Sequence, residues 1–230
     1  MLKAIVRVNI GKHDTYRKDE YSNSDWEKIT FTDLAEREYR KWSGDKETST
    51  ITINDYMFPE KNLSNKRKSS FLGITALTAI KDLASVDYDL VVWLAGDACI
   101  IGDMNEFVDK VHKGDVSAPV HPDCINASED GQKIINYNKD SYASIVKTLK
   151  HYKYAGFSQN NGYHETSGLI KSNTQYSRDL ESVWAAEYLN ASTHRDQLVL
   201  PFARWVCSDD EANDGRFNGY SKKEQNGYLK

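Results

Sequence analysis

Asp89-Leu90-Val91-Val92-Trp93-Leu94-Ala95-Gly96-Asp97 is the stretch that decides how this chain folds. Its apolar residues run without alternation and stop at a glycine and an aspartate. An unbroken run of that length predicts a strand covered on both faces, as a central parallel strand is. Just upstream, residues 64–84 carry Phe71, Ile74, Leu77, Ile80 and Leu83 at intervals of three, with Ser64 placed to cap the start. A helix running into a buried strand is the second half of a βαβ unit.

Working outward, residues 2–9, 28–32 and 50–53 read as further strands, and the Tyr- and Asp-rich stretch from Gly11 to Asp25 reads as a loop over a ligand site. Downstream come a helix at 104–113, a strand at 115–120 and a helix capped by Asp140 that runs through Tyr152. A strand at 166–171, a helix at 175–190 and a helix at 193–205 broken near Pro201 follow. The alternation predicts an α/β fold, a mostly parallel sheet flanked by helices with ligands at the carboxyl ends of its strands. Residues 1–207 form the expected domain, and 208–230 read as a polar C-terminal tail.

Composition narrows the classes. The chain has 230 residues, 39% hydrophobic and 28% charged, which suits one globular core. A formal net charge of -4 argues against gripping nucleic acid by bulk charge. The run at 89–95 is far short of the roughly 20 residues that span a bilayer. The first residues, Met1 to Asn9, meet Arg7 before a signal-peptide core could be completed. Cys99, Cys124 and Cys207 are odd in number and widely spaced, as reduced thiols are. A cytoplasmic protein with no membrane partner is the expectation.

Strand ends carry the candidate chemistry. Asp97, beside a glycine that admits a ligand to the backbone, is placed to hold Mn²⁺ or Mg²⁺ against a diphosphate; Gly96-Asp97 reads equally as a plain turn. In the turn Asn161-Gly162-Tyr163-His164-Glu165, His164 offers a metal ligand and Glu165 an acid, or both are solvated surface. Asp196 opens a helix, where its charge either meets substrate or complements the dipole. Arg195 can clamp phosphate or pair with Asp179 or Glu181. Lys66, Arg67 and Lys68 can meet a diphosphate at the start of the long helix, or form a solvated face.

Taken in order, Phe31-Thr32-Asp33, the helix with Lys66 and Lys68, Trp93 to Asp97, His121-Pro122, Gly162 to Gly168, Trp184 with Glu187, and Arg195-Asp196-Gln197-Leu198 resemble a glycosyltransferase-like family. It is known from plants and bacteria, includes proteins of the TOD/MUCI type and was long catalogued as a domain of unknown function. The likeness runs from about residue 25 to 205 and is most specific in its order and in Arg-Asp-Gln-Leu. It implies a GT-A, Rossmann-like fold and a nucleotide-sugar donor. By that analogy Asp33 contacts base or ribose, Asp97 the metal and diphosphate, and Asp196 with Gln197 the sugar or acceptor. Joined to the strand-end readings, the expected site has Asp97 and His164 on the metal. Lys66, Lys68, Arg195 and Gln197 bind the donor, while Asp196 and Glu165 serve catalysis. Ala95 stands where the family tends to have its first acidic residue, which leaves the metal site incomplete, weak, or completed by His164 or Glu165.

The leading reading is metal-assisted transfer of a sugar from a nucleotide sugar to an acceptor hydroxyl on a glycan. A DNA base of a bacteriophage is an alternative acceptor that would need a positive strip. A second class of reading is a non-catalytic module that binds a nucleotide sugar or glycan through a degenerate metal site.

Overall fold

The structure, a computed structural model, describes residues 1–12, 14–60, 62–158, 162–208 and 215–230. The strands are β1 (Lys3–Asn9), β2 (Glu27–Thr32), β3 (Ser49–Thr52), β4 (Leu90–Leu94), β5 (Val116–Pro119), β6 (Gly168–Ser172) and β7 (Phe217–Tyr220). The helices are α1 (Glu36–Ser43), α2 (Asn65–Ile74), α3 (Ala76–Ala84), α4 (Met104–Val111), α5 (Ala127–Asn136), α6 (Tyr142–Tyr154), α7 (Gln175–Asn190), α8 (Asp196–Cys207) and α9 (Lys222–Gln225).

One seven-stranded sheet runs in the order β3-β2-β1-β4-β6-β5-β7. Pairing is parallel from β3 through β4 and again between β5 and β7, while β6 runs antiparallel to both of its neighbours. The sheet is thus mostly parallel, as expected, with one reversed strand in the middle. β4 is buried throughout and splits its side chains by the period of two. Val91 and Trp93 join the core under α2, α3, α7 and α8, and Leu90, Val92 and Leu94 join the core under α4 and the C-terminal segment. Among the described residues, no helix is long and apolar enough to cross a membrane.

Four sequence readings need correction. The helix expected over 64–84 is two helices, α2 and α3, parted at Thr75 (φ -98°, ψ 25°). The physical reason is a buried ion pair: Lys171 Nζ donates to the carbonyls of Gly73 (3.2 Å) and Ile74 (2.6 Å). Glu181 accepts from the backbone N–H of Leu77 (3.0 Å) and Thr78 (3.1 Å), so each helix end is capped by one partner of the pair. Ser64 does cap α2 through Arg67 N. Asp140 does not cap α6; Ser141 does, accepting from Ser144 N at 3.1 Å. Pro201 lies inside α8 without ending it.

The fourth concerns the tail expected at 208–230, whose described residues 215–230 pair rather than trail. Phe217 and Tyr220 are buried from β7, Tyr228 and Leu229 pack on α4, and Cys99 N donates to Lys230 O at 2.9 Å. A few apolar positions among many polar ones suffice for an edge strand and its return.

Helix α5 was not foreseen. Its narrow buried face includes Gly131, where an added Cβ would stand 3.0 Å from Ile145 and 3.1 Å from Leu149 of α6. A glycine that reads as a helix breaker here permits two helices to touch.

Candidate functional site

The order of the strands reverses between β1 and β4: β2 and β3 build outward from one side of β1, and β4 lies on the other. A crevice outside the carboxyl ends of such strands is where open α/β sheets bind ligands. A cleft of about 410 Å³ occupies that place, walled by Val8 at the end of β1 and by Trp93, Ala95 and Gly96 at the end of β4. Opposite them stand Glu165 to Ser167 ahead of β6, and His194 to Gln197 leading into α8. Lys66 of α2 and Lys222 of α9 close the sides.

The loop before α8 is fixed before any side chain is placed. Tyr188 donates its hydroxyl to His194 O (3.1 Å), and Trp184 Nε1 donates to Asp196 O (3.1 Å). Asp140 Oδ2 accepts from Thr193 Oγ1 (2.7 Å) and His194 N (3.1 Å). Two aromatic side chains of α7 and one carboxylate therefore hold the turn that presents His194, Arg195, Asp196 and Gln197.

Charge in the cleft is mixed. Lys66, Arg195 and Lys222 supply cations, and Lys222 Nζ stands 3.0 Å from Glu165 Oε2. Burial pushes the Lys66 ammonium below its usual value, with Arg195 adding to the effect. Burial pushes the Asp196 carboxyl up, while Arg195, the Gln197 N–H and the Thr166 hydroxyl favour its ionised form. Gln197 Nε2 donates to Asp130 Oδ2 (3.2 Å), which also accepts from the Tyr163 hydroxyl at 2.5 Å.

Of the site residues expected from sequence, the structure gathers Lys66, Glu165, Arg195, Asp196 and Gln197 around one cavity. The other four stand elsewhere. Asp33 is exposed after β2 and accepts from Gly11 N at 3.0 Å with either oxygen. Lys68 pairs with Asp55 Oδ1 at 2.5 Å and lies over the Phe58 ring. Asp97 is exposed on the turn after β4, outside the cleft's lining. His164 is buried against the Phe217 ring, with Nδ1 3.1 Å from Arg204 Nη1. Asn161, at the head of the expected turn, lies outside the described residues.

Asp97 and His164 do not fit as joint ligands of Mn²⁺ or Mg²⁺. One His164 nitrogen faces a guanidinium. The other is pressed on the chain at Gly219, where an added Cβ would stand 2.8 Å from Nε2. Burial holds this imidazole down at about 3, so it sits in the core as a neutral ring.

Among the described residues, a second group with metal-binding chemistry is His121, Cys124 and Asp130, whose ligand atoms lie within 4.8 Å of one another. His121 Nδ1 accepts from Asp123 N (3.1 Å) and Cys124 N (3.0 Å), which puts the ring proton on Nε2, the nitrogen that faces Asp130. A cation there would need that nitrogen bare, and of the three only Asp130 is hydrogen-bonded to Gln197.

Sequence reasoning missed His194, Lys222 and Asp14, which also line the cleft. His194 stood next to a quoted motif, and Lys222 follows Ser221 in a Ser-x-x-Glu capping box that marks a short helix. Asp14 sits where Gly96 lacks a side chain: a Cβ there would fall 2.4 Å from Asp14 Oδ2.

Among solved structures, the chain is similar to the apo structure of the bifunctional glycosyltransferase WbbM, with a TM-score of 0.51 and 13% identity. The match covers 95% of this chain and 38% of that one, so this chain spans well under half the length of the protein it resembles. The likeness establishes a glycosyltransferase-like fold. No family profile matches the chain, and no curated protein sequence does.

Proposed function

We propose that this chain is a glycosyltransferase that binds a nucleoside-diphosphate sugar in the cleft and moves the sugar to an acceptor hydroxyl on a glycan. The observation that carries the reading is the convergence of Lys66, Arg195, Lys222 and Asp196 at the carboxyl ends of β1 and β4. The fold likeness and the resemblance to the TOD/MUCI type support it. Departure of a nucleoside diphosphate leaves negative charge on the terminal phosphate, and preorganised cations aimed at that charge lower the barrier. Arg195 serves that purpose from the wall opposite β4 and Lys66 and Lys222 from the sides, aided by the positive end of the α8 dipole. Asp196 faces the sugar, where its carboxylate stabilises the positive charge that develops at the anomeric carbon. No step is assigned to a metal ion, because the residues first expected to hold one do not fit it.

Thermal shift and release of free nucleoside diphosphate, read together over a panel of UDP-, GDP-, ADP- and dTDP-sugars, test the proposal. One donor is expected to raise the melting temperature and to release nucleotide slowly. In Asp196→Asn release falls by about 10²-fold or more with the fold intact; unchanged release would remove Asp196 from the chemistry. Ala95, which lines the cleft in place of an acidic residue, favours a second reading, a binding module that holds the donor without turnover. Any measurable release rejects that second reading.

A further inference from the structure

Transfer to a hydroxyl needs a group to take the hydroxyl's proton, and two carboxylates of the cleft are already committed. Glu165 is paired with Lys222 at 3.0 Å, and Asp196 is held by the Gln197 N–H and Thr166. His194 is placed otherwise. It lines the cleft with its side chain 28% exposed, its Nδ1 lies 3.1 Å from Asp140 Oδ2, and the Asp140 side chain is 8% exposed. The same Asp140 oxygen accepts from His194 N and from Thr193 Oγ1, so backbone and ring are set by one carboxylate. A histidine with one nitrogen turned to a buried carboxylate and its ring open to a cavity has the arrangement of a general base and its orienting partner.

We infer that His194 is the catalytic base of this cleft and Asp140 its positioning residue, an assignment that rests on the donor reading above. His194 Nε2 takes the proton of the acceptor hydroxyl as that oxygen bonds to the anomeric carbon. The bond from that carbon to the diphosphate oxygen breaks, and its electron pair leaves with the diphosphate. The proton rests on His194 as an imidazolium beside Asp140. With water as acceptor the same step releases free sugar.

The surroundings keep the base available. Burial pushes the His194 imidazole below its usual value and Lys66 of α2 and the adjoining Arg195 push it the same way; Asp140 and the Lys139 carbonyl, before α6, pull it up. The balance favours the neutral ring. Asp140, which Thr193, the Ser141 and His194 N–H groups and His194 all favour as the anion, is held below the ordinary carboxylate range.

The test follows release of nucleoside diphosphate, with water as acceptor, from the best donor of the panel between about pH 5 and about pH 9. Wild type, His194→Gln and Asp140→Asn are compared, with nucleoside diphosphate binding measured for each. The wild-type rate is expected to fall on the acid side as His194 takes a proton. H194Q loses about 10²- to 10³-fold and loses that acid limb. D140N is slower and moves the limb to lower pH, because the anion that raises the imidazole is gone, a shift that a purely structural role would not produce. Binding stays within about twofold in H194Q, since His194 is not asked to hold the diphosphate; Asp140 also fixes the turn that carries Arg195, so D140N is read by the position of its acid limb. Equal binding with the rate and acid limb intact in H194Q overturns this inference alone; binding without release at any pH overturns it together with the transferase reading and leaves the binding module. A wild-type chain that binds none of the donors overturns the donor reading and this inference with it.

Discussion

Two acid–base pairs meet α7 or the turn after it, and they are put to different uses. Lys171 and Glu181 lie 2.7 Å apart, and each side chain is 2% exposed. Asp140 and His194 lie 3.1 Å apart, with the side chain of His194, a residue that lines the cleft, 28% exposed. The bonds of the first pair go to the joint between α2 and α3: two carbonyls ending α2, two N–H groups starting α3 and the Thr78 hydroxyl. The second pair spends Asp140 on the turn and leaves the histidine an edge open to a cavity. Burial of charge marks both, so burial alone does not separate structure from chemistry; what the outer edge faces does.

The strongest way to break this comparison is to remove one partner of the sealed pair. Lys171→Met leaves Glu181 buried and uncompensated, and urea unfolding should show a loss of about 3–5 kcal/mol. His194→Gln should change stability by no more than about 1 kcal/mol in the same assay, its effect falling on rate instead. Next comes affinity. Lys66→Ala and Arg195→Ala should each weaken nucleoside diphosphate binding by roughly ten- to hundredfold in calorimetry, the value of a charge-assisted contact. Lys68→Ala should not, because Lys68 is spent on Asp55.

The histidines extend the contrast into pH. His112 is fixed between Ser117 Oγ (2.6 Å) and Ser172 Oγ (2.8 Å), and burial pushes it down to about 4; His164 is pushed down to about 3. Both are bases bound neutral in the folded chain, so the unfolded chain binds more protons once pH drops below about 6.5. Stability should hold above that value and decline as pH falls toward about 4, and His112→Gln should flatten part of the decline in urea midpoints. The smallest effect belongs to the surface: Lys81 and Asp87 pair at 2.9 Å with both side chains about half exposed, and Lys81→Ala should cost under about 0.5 kcal/mol.

The strands were legible because their signal is local. Residues 2–9, 28–32, 50–53 and 89–95 each carry enough β-branched or unbroken apolar sequence to read alone, and the sheet holds them in the expected role. The break at Thr75 was not legible, because its cause lies about a hundred residues away in Lys171 and Glu181. Antiparallel β6 was hidden for a like reason: direction depends on how a connection crosses the sheet, which periodicity does not record. Half of the cleft could be read from motifs at strand and helix ends, such as Arg195-Asp196-Gln197. His194 stood beside that motif but drew no attention, since a lone loop histidine gains meaning only when its carboxylate is known. Asp97 and His164 were plausible by residue type, yet one faces solvent and the other faces Arg204.

Equilibrium binding of UDP-, GDP-, ADP- and dTDP-sugars to the unmodified chain, followed by calorimetry, tests the central claim most directly. The account predicts saturable binding of one of these donors that is weakened in both Lys66→Ala and Arg195→Ala. Absence of binding by all of them at millimolar concentration, about the weakest affinity a substrate site needs, would contradict it and leave the cleft without the role given to it here.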